Sequence, residues 1–151
     1  MNRKITAIAA LTLGLASAAV YAAKPADTIA ARQANFKVMG KSFKGIMDEM
    51  RKPAPDMAMI KASANALAGA TPKVAGYFPK GSGPEAGVKT LALPAIWAKN
   101  ADFKKAAANL VAASKMMQSA ANSNNVDAVK AAFPALGGAC KGCHDPFKAK
   151  D

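Results

Sequence analysis

Apolar residues recur at Ile29, Phe36, Met39, Phe43, Ile46, Met47 and Met50, mostly in steps of three, four and seven. That spacing returns to one side of an α-helix. Asp27 or Thr28 can cap its start, and Pro53 and Pro55 end it. Asp56 can cap a second helix, with Met59, Ile60, Ala64, Leu67 and Ala70 as its inward positions and Pro72 disturbing its end. Residues 76–84 hold two prolines and three glycines and read as loop. A third helix begins near Pro94, which a first turn accepts. It runs through Ile96, Trp97, Phe103, Leu110, Val111 and Met117 to the polar run Asn122-Ser123-Asn124-Asn125. A fourth starts around Val126 and carries Val129, Phe133 and Leu136, with Pro134 and Gly137-Gly138 weakening its middle. No internal repeat and no strand-like alternation interrupts this pattern.

Each helix is predicted at about 20–25 residues, or about 30–38 Å at 1.5 Å per residue. Short connections make neighbours antiparallel, so the expected fold is all-α, an antiparallel up-down-up-down four-helix bundle. The connection over residues 76–93 is the long one and sits where it could cover a site. Composition agrees. Alanine dominates, and it loses least on entering a helix. Aromatics are 6 %, too few for a typical all-β chain. At 151 residues and 52 % apolar, one domain with a real core is expected.

The N-terminus changes the picture of where the chain works. Arg3 and Lys4 precede an apolar stretch over residues 5–20, then Val20-Tyr21-Ala22. A basic start, a short apolar centre and small residues at −3 and −1 make residues 1–22 a cleaved signal peptide, with residues 23–151 the mature domain. The stretch is interrupted by Thr6, Thr12 and Ser17 and is shorter than the ~20 residues of a membrane span. The expected location is the periplasm, with no membrane span. The mature chain keeps 19 basic and 9 acidic side chains, a net charge of +10. The lysines are scattered and lack interleaved aromatics, so nucleic acid is not the expected partner. The charge fits steering toward an acidic partner.

The chemistry lies at Cys140-Lys141-Gly142-Cys143-His144, a C-x-x-C-H sequence of the kind that attaches c-type haem. Cys140 and Cys143 fall at i and i+3 on one helical face, where both sulfurs can reach the two vinyl groups of one porphyrin. His144 follows directly and can place its imidazole beneath the iron. These are the only two cysteines and the only histidine. A thioredoxin-type disulfide would need a βαβ setting. A structural zinc site would need a fourth ligand. Only seven residues follow His144 and none is methionine, so the other face of the iron belongs to an upstream helix.

With that motif near the end of an exported four-helix chain, the sequence resembles the cytochrome c′ family, the class II c-type cytochromes. Arg32-Gln33 with Phe36-Lys37, the loop Phe78-Pro79-Lys80-Gly81-Ser82-Gly83, and Pro94-Ala95-Ile96-Trp97 carry the likeness beyond C-x-x-C-H. Cytochrome c′ is itself a standard up-down-up-down bundle. The resemblance implies one haem c, with thioethers from Cys140 and Cys143 and His144 as proximal ligand. It implies that Arg32 and Gln33 lie near the haem propionates, that Trp97 packs by the haem, and that Phe36 points at the open distal face. A basic residue four past the histidine is common in the family, and Lys148 fills it. Pro146 lies between and is expected to break the last turn at Asp145. Members of the family are usually homodimers through their first two helices, and the same is expected here.

Phe36 decides the expected function. A benzyl side chain cannot ligate iron, and an apolar pocket disfavours anions, which lose their hydration on entering it. The expectation is five-coordinate, mainly high-spin iron that binds NO and CO and can exchange one electron. The alternative is a six-coordinate, low-spin electron carrier, with Met39, Met47, Met50, Met57, Met59, Met116 and Met117 as candidate ligands and Met39 nearly one turn from Phe36. An acidic redox partner would suit the charge. With the sole histidine already used, no distal acid–base group is left, so enzymatic activity is not expected.

Overall fold

The computed structural model describes residues 24–150. The signal-peptide reading of residues 1–22 therefore lies outside the described residues. Four long helices and one short one follow in order: α1 (Pro25–Met50), α2 (Met57–Ala70), α3 (Ala95–Ala98), α4 (Asn100–Asn122) and α5 (Val126–Phe147). Among the described residues no helix is long and apolar enough to cross a membrane.

Helix α1 starts earlier than its polar residues suggest. Pro25 opens it, Lys24 precedes it without a side-chain cap, and Asp27 falls inside the first turn. A proline there loses no hydrogen bond, and the carboxylate still meets the positive end of the helix dipole. Helix α2 is capped by Asp56, whose carboxylate accepts from the backbone N–H of Ala58 and Met59. It has 14 residues rather than the expected length, because Pro72 turns the chain into a 3-10 segment over Thr71–Tyr77. Ile60, Ala64 and Leu67 face the core as expected, but Met59, one step round the helix from Ile60, is 54 % exposed.

The expected third helix is broken. Lys99 leaves the helical region (φ −116°, ψ 49°) and separates α3 from α4. The break turns α3 so that Ile96 is buried in the same core as Phe103, Leu110 and Met117. Conversely, α5 does not break. Asn125 caps it, and it continues through Pro134 and Pro146 to Phe147. The last turn survives because Phe147 is anchored. Its ring meets Phe103 edge-on at 5.4 Å, and the Lys148 N–H still donates to the His144 carbonyl at 3.0 Å. An antiparallel bridge adds Leu93 N–H to Phe147 O (3.0 Å) and Ala149 N–H to Leu91 O (2.8 Å).

Packing runs in sequence order. Helix α1 lies on α2, α2 on α4, and α4 on α5. Inside the α2–α4 seam the hydroxyls of Thr71 and Ser114 satisfy each other at 2.8 Å, both fully buried. Helices α1 and α5 close the bundle through stacked Phe43 and Phe133, with ring centroids 5.1 Å apart. Beyond that stack they diverge, and a cavity opens between them.

Candidate functional site

The cavity has a volume of about 900 Å³. Its α5 wall presents Cys140, Cys143, His144, Phe147 and Lys148. The facing α1 wall presents Arg32, Gln33, Phe36, Lys37, Met39 and Phe43. Residues 88–92 form a third side, and Leu67, Phe78, Phe103 and Leu110 line the interior.

Helical spacing brings both thiols to the same wall, as expected. They are half-buried and unpaired. Burial pushes the Cys140 thiol up, and burial followed by the neighbouring Cys140 pushes Cys143 up, so both are protonated at neutral pH. His144 is held below its ordinary value, first by burial and then by the Lys148 charge, with Asp145 opposing. Its imidazole is therefore neutral near pH 7, the form that donates a lone pair to a metal. Lys148 reaches the rim of the cavity because the last turn of α5 stays intact. The expected break at Asp145 does not occur. Asp145 instead pairs with Lys141 one turn back.

Arg32 is only 2 % exposed and is not a solvated helix charge. Its guanidinium donates to Tyr77 O (3.3 Å), Ser82 Oγ (3.4 Å), Ser82 O (3.0 Å) and Thr90 Oγ1 (2.8 Å). It also lies 4.4 Å above the centre of the Phe78 ring. Burial lowers its pKa, but a guanidinium remains charged in proteins. Next to it, Gln33 Nε2 donates to Lys89 O at 2.9 Å. The two residues thus strap the loop over residues 78–90 onto α1, which local sequence could not reveal because the partners are about fifty positions away.

Trp97 does not line the cavity. Its indole N–H donates to Phe78 O and Pro79 O, both at 3.1 Å, and its ring meets Phe78 at 6.2 Å. Phe78 stands at the cavity instead, between Phe36 (6.3 Å), Phe103 (4.8 Å) and Trp97. Trp97 supports the wall from one ring behind. Sequence reading also missed Asn35, a buried amide on α1 beside Met39.

These residues fit a haem. The volume lies near the top of the ~300–1,000 Å³ range of cofactor pockets. The interior is mostly aliphatic and aromatic, matching a flat apolar ring. Two thiols and one neutral imidazole share one wall. Arg32, Lys37, Lys89 and Lys148 line the cavity and no carboxylate does, matching a group with two acidic arms.

A family model for cytochrome c′ matches residues 27–148. The chain belongs to the cytochrome c′ family. A cytochrome c′ from Rubrivivax gelatinosus is 36 % identical over 127 residues, covering 84 % of this chain and 98 % of the relative. A ferrous variant of cytochrome c′ from Alcaligenes xylosoxidans with bound NO superposes with a TM-score of 0.75 at 30 % identity, covering 85 % of this chain and 98 % of the other. A cytochrome c′ noted for ligand-controlled dimer dissociation superposes at 0.78 with 28 % identity, covering 85 % and 99 %. Membership of the cytochrome c′ family and the four-helix bundle agree with what the sequence resemblance implies.

Proposed function

We propose that this chain is a periplasmic haem c protein whose iron is five-coordinate and mainly high-spin, binds NO and CO, and exchanges one electron. The observation that carries the reading is that Phe36 of α1 lines the same cavity as His144 of α5. Cys140 and Cys143 would hold the haem by thioethers and His144 by its axial bond. Bound there, haem supplies an iron that takes diatomic gases and a single electron. Phe36 keeps water and anions from the open face, because an anion loses hydration on entering an apolar pocket. A small neutral gas meets no such cost. No side-chain donor of α1 other than Arg32, Gln33 and Lys37 lines the cavity, and the first two are engaged with the strap.

Arg32, Gln33 and Lys148 would serve the acidic arms of the haem. Arg32 supports this role because its buried charge has no carboxylate partner among the described residues. The superposition on an NO-bound cytochrome c′ supports the gas reading, and the relative with a ligand-controlled dimer supports a homodimer. Residues 1–22 would be removed on export. The basic surface would guide an acidic redox partner. The role is binding and electron exchange rather than catalysis.

Met39 favours the second reading, a six-coordinate electron carrier, because it lines the same cavity. Optical spectra of the purified holoprotein, ferric and ferrous, separate the two. A high-spin ferrous spectrum that changes on adding NO is expected. Sharp low-spin α and β bands before any ligand is added would replace the gas-binding reading with electron transfer.

A further inference from the structure

Met39 is the sulfur on α1 that lines the cavity, three residues past Phe36. It is 8 % exposed and belongs to the core. Its sulfur accepts a hydrogen bond from Asn35 Nδ2 at 3.6 Å, one helical turn back. The same amide nitrogen donates to Ala70 O at 3.1 Å. Ala70 ends α2, where the chain passes into the 3-10 segment and the α-helical ladder stops. Asn35 is thus fixed from two sides: α2 holds the amide, and the amide holds the thioether. Asn35 does not itself line the cavity.

A thioether on three rotatable bonds adapts its shape readily. Among the side chains that line the cavity it is the one thioether, the group that could ligate a haem iron bound there. A ring-bearing neighbour such as Phe36 cannot compete for the metal. What restrains the sulfur is the N–H donor aimed at its lone pair and the tie of that donor to α2.

We propose that Asn35 is a positioning residue that keeps Met39 off the iron, so that the open face stays available to gases. The inference rests on the five-coordinate reading above. Removing the amide frees the sulfur, and the site converts toward methionine ligation and low spin. Gas binding then slows, because the sulfur must first leave.

The test compares holoprotein spectra of the wild type, Asn35→Ala, Met39→Leu and the double variant, with folding checked by circular dichroism. Asn35→Leu serves as a second variant that removes the donor while keeping bulk, should the alanine variant not fold. The expected result is a low-spin fraction in the Asn35 variant that disappears in the double variant, with CO binding slowed severalfold and then restored. Met39→Leu alone removes the sulfur while keeping an apolar side chain in the cavity wall, and its spectrum is the reference for the double variant. A folded Asn35 variant that keeps the wild-type high-spin spectrum would overturn the proposal and leave the five-coordinate reading intact. A low-spin fraction that survives in the double variant would overturn it too, because another residue would then be the ligand. A low-spin wild type made high-spin by Met39→Leu would overturn both, since Met39 would be bound with Asn35 in place.

Discussion

Arg32 keeps a charge below the surface with no carboxylate opposite it. Its cost is met by three oxygen-bearing partners and the face of Phe78. Hydrogen bonds to a charged donor are worth ~1.5–3 kcal/mol each, and acceptors left unpaired add their own penalty. Arg32→Met keeps the apolar stem and removes every donor, which strands Ser82 O and Tyr77 O. We expect a loss of about 2–4 kcal/mol in urea unfolding of the holoprotein. Arg32→Lys is expected to recover only part, because one ammonium cannot span the positions reached by a planar fork. An unchanged midpoint for Arg32→Met would mean that the strap is held by Gln33 and the Leu91–Ala149 bridge alone.

Among elements, the joint between α1 and α2 depends on one carboxylate. Glu49 accepts from Lys52 Nζ at 2.6 Å and from the Asp56 backbone N–H at 3.1 Å. The Lys52 hydrogen bond, then that of Asp56, hold its carboxyl below the usual range. A depressed folded-state pKa stabilises the fold above the unfolded value of ~4.3 and is lost as pH falls through the lower folded value. Glu49→Gln removes that titration. The stability gap between wild type and variant is therefore expected to be full near pH 6 and to shrink as pH falls below about 4. Denaturation midpoints at stepped pH check this, and a gap independent of pH would count against it.

The same scale shows what the chain made legible. The C-x-x-C-H group and the stripe from Ile29 to Met50 are local patterns, so their periodicity could be read directly. The break at Lys99 carries no proline or glycine and arises from docking Ile96 into the core. Pro146 was misleading for a related reason. Its local preference is to end a helix, but the burial of Phe147 and the bridge to Leu91 and Leu93 overrule it. The partners of Arg32 and the amide of Asn35 depend on residues on other elements, where no spacing rule reaches.

For the whole molecule, the cavity dominates. A half-open, mostly apolar cavity of about 900 Å³ leaves the side chains that line it without packing partners on one side. A domain has only ~5–15 kcal/mol of net stability. A haem held there would supply those partners and form part of the core. Replacing Cys140 and Cys143 together by serine removes covalent retention. We expect the resulting protein to lose haem on gel filtration, to bind a hydrophobic dye, and to melt without a sharp transition. A sharp melt near the holoprotein's Tm in haem-free protein would show that the walls can close on themselves.

Because each helix packs on the next in order while α1 and α5 meet mainly at Phe43 and Phe133, the molecule is a rolled strip with one seam. The cavity lies along that seam. Widening it with every helix intact would part α1 from α5 and bend the strip at the α2–α4 contact. Under the gas-binding reading, access would then depend on the stiffness of that contact. On that reading, a change in the hydroxyl pair of Thr71 and Ser114, one turn from the cavity-lining Leu67 and Leu110, would tune how fast ligands arrive without removing any lining side chain.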